Sequence, residues 1–200
     1  MYTVEDLRNY ERYLETMDAQ LKEFFTEQAP YICCKQGCSH CCKSGEYPIS
    51  KLEFMYLNIG MTTLSMLELD EINSKIKQMK AEKSNHNPDD GPFYHECPFL
   101  KDDKCSLYDF RSLICRAHGL AYFSKSGKVL VPACVDKGLN YSQVYDFETM
   151  QISKEKYEKL GVVQEPLAHN VGLYFLTSNS LTEELDLDFG EIKPMLDWFN

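Results

Sequence analysis

Five of the chain's nine cysteines fall within ten residues, Cys33-Cys34-Lys35-Gln36-Gly37-Cys38-Ser39-His40-Cys41-Cys42. A free cysteine is ordinarily a scattered, buried, small hydrophobe. Packing does not explain five thiols this close together. Thiolates are soft ligands that suit zinc, copper(I) and iron–sulfur clusters. Cys38-Ser39-His40-Cys41 is a Cys-x2-Cys knuckle, whose two-residue spacer lets both sulfurs turn toward one metal. Cys34, with three residues between it and Cys38, is close enough to join them. Such a stretch is expected to form a loop, and the rest of the chain must supply a scaffold and further ligands.

Those further ligands are Cys97, Cys105, Cys115 and Cys134. With Cys34, Cys38, Cys41 and Cys42 they make eight sulfurs. Eight could fill two four-cysteine sites, a two-metal cluster with shared thiolates, or one cluster beside structural thiols. Adjacent Cys41 and Cys42 are expected to project in different directions and so to serve different metals or to bridge them. Cys33 is the thiol left over. A disulfide framework is not expected: no secretory signal is visible, 200 residues can build a core unaided, and disulfides are rare in the cytosol.

Cys34-x3-Cys38-x2-Cys41-Cys42, then Cys97-Pro98-Phe99-Leu100, Cys105-Ser106-Leu107-Tyr108 and Arg111-x3-Cys115-Arg116, resembles the CxxCxxCC family of zinc- or iron-chelating proteins. The resemblance runs from about Cys34 to Cys134 and leaves the N-terminal helix and the last 60 residues uncovered. Ser112 stands where the family often has Pro, a change expected to alter a turn. The resemblance implies chelation and leaves the metal open. A flagellin lysine-methylating enzyme is similar in its cysteine cluster, which implies an enzymatic alternative.

The formal charge of −10 argues against nucleic-acid binding, which relies on Lys and Arg contacts to phosphate, and against an anionic membrane as partner. No apolar run approaches the roughly 20 residues needed to span a bilayer. The expected location is the cytoplasm, and the expected partner is a metal ion.

Periodicity along the chain predicts a mainly α fold with a small β-hairpin, an α+β class around an irregular cysteine-rich metal-binding core. Residues 1–140 are expected to form a helical cysteine-cluster domain, with 141–200 a helical extension packed on it. Thr3 and Asp6 resemble a capping box for a helix to about Gln28, with Leu7, Tyr10, Leu14, Met17, Leu21 and Phe24 on one face. That face packs on its own domain or forms a homodimer seam. Ser50 and Glu53 cap a second helix, with Leu52, Met55, Tyr56 and Ile59 inward and Gly60 as its stop. A third runs from about Thr63 to Lys83, with Leu64, Leu67, Ile72, Ile76 and Met79 inside. Met55, Met61, Met66 and Met79 are read as core rather than as copper ligands. Cys97–Cys105 reads as a hairpin turning at Lys101–Lys104, and Tyr108–Ala117 as a short helix carrying Cys115. A second hairpin, Leu120–Phe123 with Lys128–Val131, delivers Cys134. Helices are expected at 153–160, Pro166–Thr177 and Glu191–Phe199. The acidic run Glu183, Glu184, Asp186, Asp188 and Glu191 is expected to be a solvated linker. Trp198 and Phe199 should dock in cis.

Around the cysteines, His40 is expected to point outward, and His86 and His95 to lie at the surface or behind the ligands. His118 is the best histidine candidate for a ligand, or for a hydrogen-bond donor to one. Lys35, Lys43, Arg111 and Arg116 could offset thiolate charge or bond to anions. The function read from this is metal chelation through cysteine thiolates in a structural or regulatory role, with zinc placed ahead of iron. The alternative is an iron–sulfur protein with a redox or S-adenosylmethionine-linked role. The chain has no Gly-rich phosphate loop, Gly-x-Ser-x-Gly elbow or His-Glu-x-x-His, and no residue is assigned as catalytic.

Overall fold

The three-and-four spacing of apolar residues after Thr3 becomes a helix in the computed structural model, which describes residues 2–35 and 37–199. α1 (Val4–Glu27) begins where the Thr3 hydroxyl accepts the Asp6 N–H at 3.2 Å and the Asp6 carboxylate accepts the Thr3 N–H at 2.6 Å. This reciprocal pair satisfies two donors that a helix start leaves open. Tyr10, Tyr13, Leu14, Met17 and Leu21 form the buried face. The chain continues through α2 (His40–Lys43), β1 (Pro48–Ser50), α3 (Lys51–Met61), α4 (Met66–Asn85), β2 (Leu100–Lys101) and β3 (Lys104–Cys105). It proceeds through α5 (Leu113–Ala117), β4 (Ala121–Phe123), β5 (Val129–Leu130), β6 (Tyr145–Asp146), β7 (Gln151–Ile152) and α6 (Lys154–Leu160). The last elements are β8 (Ala168–His169), α7 (Leu173–Leu176), α8 (Ser180–Glu184) and β9 (Ile192–Pro194). Sheets of two or three short strands beside the helices make this an α+β fold. Among the described residues, no helix is long and apolar enough to cross a membrane.

The chain divides into two compact units, each made of two stretches: Met1–Lys35 with Leu113–Leu187, and Gln36–Ser112 with Asp188–Asn200. In the first unit, β4 pairs antiparallel with β5 and parallel with β8, with Tyr122 opposite Leu130 and His169 respectively. The expected hairpin is present. Its third strand is not expected, because Pro166–Thr177 carries an amphipathic pattern that reads as a helix. Instead Leu167 and Tyr174 are exposed, and α7 is only four residues long. Gln28, fully buried at the end of α1, explains the difference. It accepts the Leu167 N–H at 2.8 Å and donates to the Glu165 carbonyl at 3.1 Å, so this backbone is bonded outward to a side chain. Part of the acidic run is also helical rather than linker: Asn179 and Thr182 form a reciprocal cap on α8.

The second unit has a core of Leu57, Ile72, Ile76, Phe99 and Leu107, against which Cys97, Cys105, Phe110, Met195 and Phe199 pack. Ser50 and Glu53 cap α3 as expected, and Ser65 with Glu68 caps α4 the same way. Three expectations fail here. Pro48–Ser50 is a strand, paired antiparallel with β9 in the register Ile49 to Lys193, so Glu191–Phe199 is a strand and a short 3-10 turn rather than a helix. Met55, Ile59, Met66 and Leu67 are exposed. Leu57 is buried in their place, because the face that packs is set by the surrounding elements. Gly60 lies inside α3 and does not stop it. A Cβ there would stand 2.4 Å from Phe110 Cγ, so glycine makes room for that ring. Trp198 docks in cis, its ring stacked on Phe54 at 5.3 Å and its N–H donating to the Ile49 carbonyl at 3.1 Å.

Candidate metal centre

None of the nine cysteines is joined in a disulfide. Cys33, Cys34, Cys115 and Cys134 belong to the first unit, and Cys38, Cys41, Cys42, Cys97 and Cys105 to the second.

In the second unit the Cys38–Cys42 stretch is not all loop. Ser39 turns it into the single turn α2, its carbonyl accepting the Cys42 and Lys43 N–H groups at 2.9 and 3.0 Å. The turn brings adjacent sulfurs together rather than apart: Cys41 Sγ and Cys42 Sγ stand 3.9 Å from each other. Two thiolates on one tetrahedral zinc, each at about 2.3 Å, are about 3.8 Å apart. The hydrogen bond from Cys41, helped by the Arg111 charge, holds the Cys42 thiol at about 7. That is below the ordinary thiol range and favours the form that binds metal.

Three contacts tie this turn to the segment that carries Cys97 and Cys105. The Cys97 N–H donates to the Cys42 carbonyl at 2.6 Å. Asp103 Oδ1 accepts from Ser39 Oγ and from Lys43 Nζ, each at 2.5 Å. Asp103 sits at the tip of the hairpin β2–β3, where Asp102 and Asp103 take φ of 50° and 58°. Asp tolerates that left-handed backbone better than most residues. The register sets Leu100 opposite Cys105, and burial pushes the Cys105 thiol up. Lys43 therefore pairs with a carboxylate, and Lys35 is exposed. His40 is exposed, as expected. His95 is not at the surface: it is buried beside Phe93, with its Nδ1–H donating to the Glu96 carbonyl at 2.8 Å.

In the first unit, Cys33 and Cys34 follow a 3-10 turn at Ala29–Tyr31, and Tyr31 stacks on Tyr141 with centroids 5.9 Å apart. The Tyr141 N–H donates to the Tyr31 carbonyl at 2.7 Å, which lays residues 31–34 along 140–141. Asn140 completes the contact. Its Oδ1 accepts the Cys33 N–H at 2.7 Å, and its Nδ2 donates to the Gly119 carbonyl at 2.8 Å and to Cys34 Sγ at 3.1 Å. Gly119 has φ of +119°, and a Cβ there would lie 2.9 Å from the same sulfur. Cys115 lies on α5, which is shorter than expected because Tyr108–Phe110 forms a separate 3-10 turn. Arg116 pairs with Asp18 at 2.6 Å. His118 is half-buried, and its burial lowers its proton affinity. Cys134 lies in the 3-10 turn Ala133–Lys137.

Among the described residues, no three His, Cys, Asp or Glu side chains converge closely enough to hold a metal ion. The chemistry of the donors nonetheless fits zinc or iron: soft sulfurs, one adjacent pair at the tetrahedral spacing, one thiol with a lowered proton affinity, and an amide N–H aimed at a sulfur. Spacing arguments find the cysteines and miss Asn140, Asp103 and Ser39. Asn140 is 106 residues from Cys34, and Asp103 is 64 from Ser39, distances at which no local pattern links two side chains.

These features define a small α+β protein with a cluster of cysteines and no disulfide. The chain belongs to the CxxCxxCC family, described as a putative zinc- or iron-chelating domain, whose model matches residues 33–135. That membership supports metal binding, with zinc or iron as the metal. No curated protein and no solved structure matches the chain.

Proposed function

We propose that the chain chelates zinc, ahead of iron, through Cys34, Cys38, Cys41, Cys42, Cys97, Cys105, Cys115 and Cys134, in a structural or regulatory role. The observation that carries this reading is the Cys41–Cys42 pair, with sulfurs 3.9 Å apart and the Cys42 thiol held at about 7. Two sulfurs in that relation are halfway to a tetrahedral zinc site. A site closed by four thiolates offers no open coordination position, so its effect is on folding and on the surfaces it orders. Cys33 is outside the ligand set: what the fold uses there is its backbone N–H.

The test is elemental analysis with a visible absorption spectrum on protein purified without oxygen. Colourless protein with stoichiometric zinc is the expected result. Brown protein with iron and acid-labile sulfide would replace the zinc reading by an iron–sulfur one. Protein that holds neither metal under reducing conditions would overturn chelation.

A further inference from the structure

Asn140 has no part in the motif that defines the family, and it lies outside the matched residues. Its side chain nevertheless meets a candidate ligand sulfur directly, at 3.1 Å. Three contacts use its amide fully. The carboxamide oxygen accepts the Cys33 N–H, and its NH2 group donates one hydrogen to the Gly119 carbonyl and the other to Cys34 Sγ. The chemistry of the partners fixes which end is which: an N–H can only donate and a carbonyl can only accept, so the nitrogen must face the sulfur. Asn140 is 1% exposed, so its own amide is shielded from water.

The surroundings of the sulfur are equally specific. Gly119 approaches so closely that a Cβ would lie 2.9 Å from Cys34 Sγ and 3.1 Å from Asn140 Nδ2. Its φ of +119° also strains any other residue. Asn140 and Gly119 thus cover one side of the sulfur, while Cys34 as a residue is exposed. A thiolate gains a charge-assisted hydrogen bond and keeps its other lone pairs for a metal.

We propose that Asn140 is the positioning residue of the metal centre: its amide N–H holds the Cys34 sulfur as an oriented thiolate ligand and sets the strength of its bond to the metal. The role rests on the reading of Cys34 as a ligand. Hydrogen-bond partners of metal ligands typically control 10–100-fold in metal affinity. The effect passes through one sulfur, so it must vanish when that sulfur is absent.

The experiment titrates cobalt(II), which reports sulfur ligation as charge-transfer absorption, into reduced wild-type protein and variants, with a chelator competing. Asn140→Asp keeps the acceptor for the Cys33 N–H and loses both donated bonds, to Cys34 Sγ and to the Gly119 carbonyl. It is expected to bind cobalt about 10–100-fold more weakly and to shift the sulfur-to-cobalt band, with unchanged far-ultraviolet circular dichroism. In a Cys34→Ser background, adding Asn140→Asp should produce no further loss of affinity. Equal affinity and an unshifted band in Asn140→Asp overturn the proposal, as does a full additional loss in the Cys34→Ser background, which marks a general structural role. A measurement on the unmutated chain guards against a variant that does not fold. With cadmium-113 bound, the Asn140 side-chain amide protons should correlate with the metal through the sulfur, and no correlation overturns the role. Wild-type protein that binds neither cobalt nor cadmium overturns the ligand reading itself, and this role with it.

Discussion

Gly60→Ala is a substitution for which helix propensity and packing disagree in sign. Gly60 is the second-last residue of α3, where alanine is favoured over glycine by up to the about 0.8–1 kcal/mol of a helix interior. The added Cβ would meet Phe110 Cγ at 2.4 Å, Cδ2 at 2.6 Å and Cβ at 2.7 Å. These atoms lie at the root of the ring, so rotation about one bond cannot clear them. The ring is also packed against the second unit's core. Overpacking of this kind costs about 1–3 kcal/mol. The short contacts put the cost in the upper half of that range, and after the propensity gain the net loss is about 1–2 kcal/mol. Trp198, the chain's one tryptophan, lies in the same unit and reports its unfolding by fluorescence. With a urea slope of about 3 kcal/mol/M, the midpoint should fall by about 0.3–0.7 M at unchanged metal content. In a Phe110→Ala background, which removes the two closest atoms, the cost should fall by at least half. A Gly60→Ala protein as stable as wild type, or an equal cost in both backgrounds, would refute the reasoning.

Two further predictions concern the cysteine turn. Cys42→Ser should lower bound metal by loss of one sulfur of the close pair, whereas Cys33→Ser should leave it unchanged, as read by metal-to-protein ratio. Equal losses in the two would sink the ligand assignment. Asp103 is held below its ordinary value of 3.8 by Lys43 first, then by Ser39 and the His40 charge. A carboxyl lowered on folding stabilises above its unfolded value and loses that contribution as pH falls through the lowered one. Stability of the wild type should therefore drop below pH 3.8 more steeply than that of Asp103→Asn in acid titrations followed by Trp198 fluorescence. Superimposable acid profiles would show that the link from Asp103 to Ser39 and Lys43 contributes nothing.

The parts of this fold that can be read from sequence are those whose physics is local. Thr3 with Asp6, and Ser50 with Glu53, announce helix starts because donor and acceptor lie three residues apart. The Asp102-Asp103 turn announces a hairpin because its backbone demand falls on two adjacent residues. The strand at Pro48–Ser50 leaves no such trace, since its partner is Ile192–Pro194 and neither segment alternates long enough to reveal a face. Leu67 and Met55 have the right spacing for burial and lie outside, because amphipathic spacing says that a face exists and not which neighbour covers it. At the candidate site the same boundary holds. The thiols are legible as a cluster, while Asn140 and Asp103 are ordinary polar residues until the fold sets them against Cys34 and Ser39.

The pairing of β1 with β9, and the packing of Met195 and Phe199 on the core beside Cys97 and Cys105, have a consequence in time. A ribosome adding roughly 5–20 residues per second needs about 5–20 s to go from Cys105 to Phe199. Throughout that interval all five thiols of the second unit have been made, while the strand and turn that complete their unit have not. The five sulfurs are thus made before the core beside Cys97 and Cys105 can close.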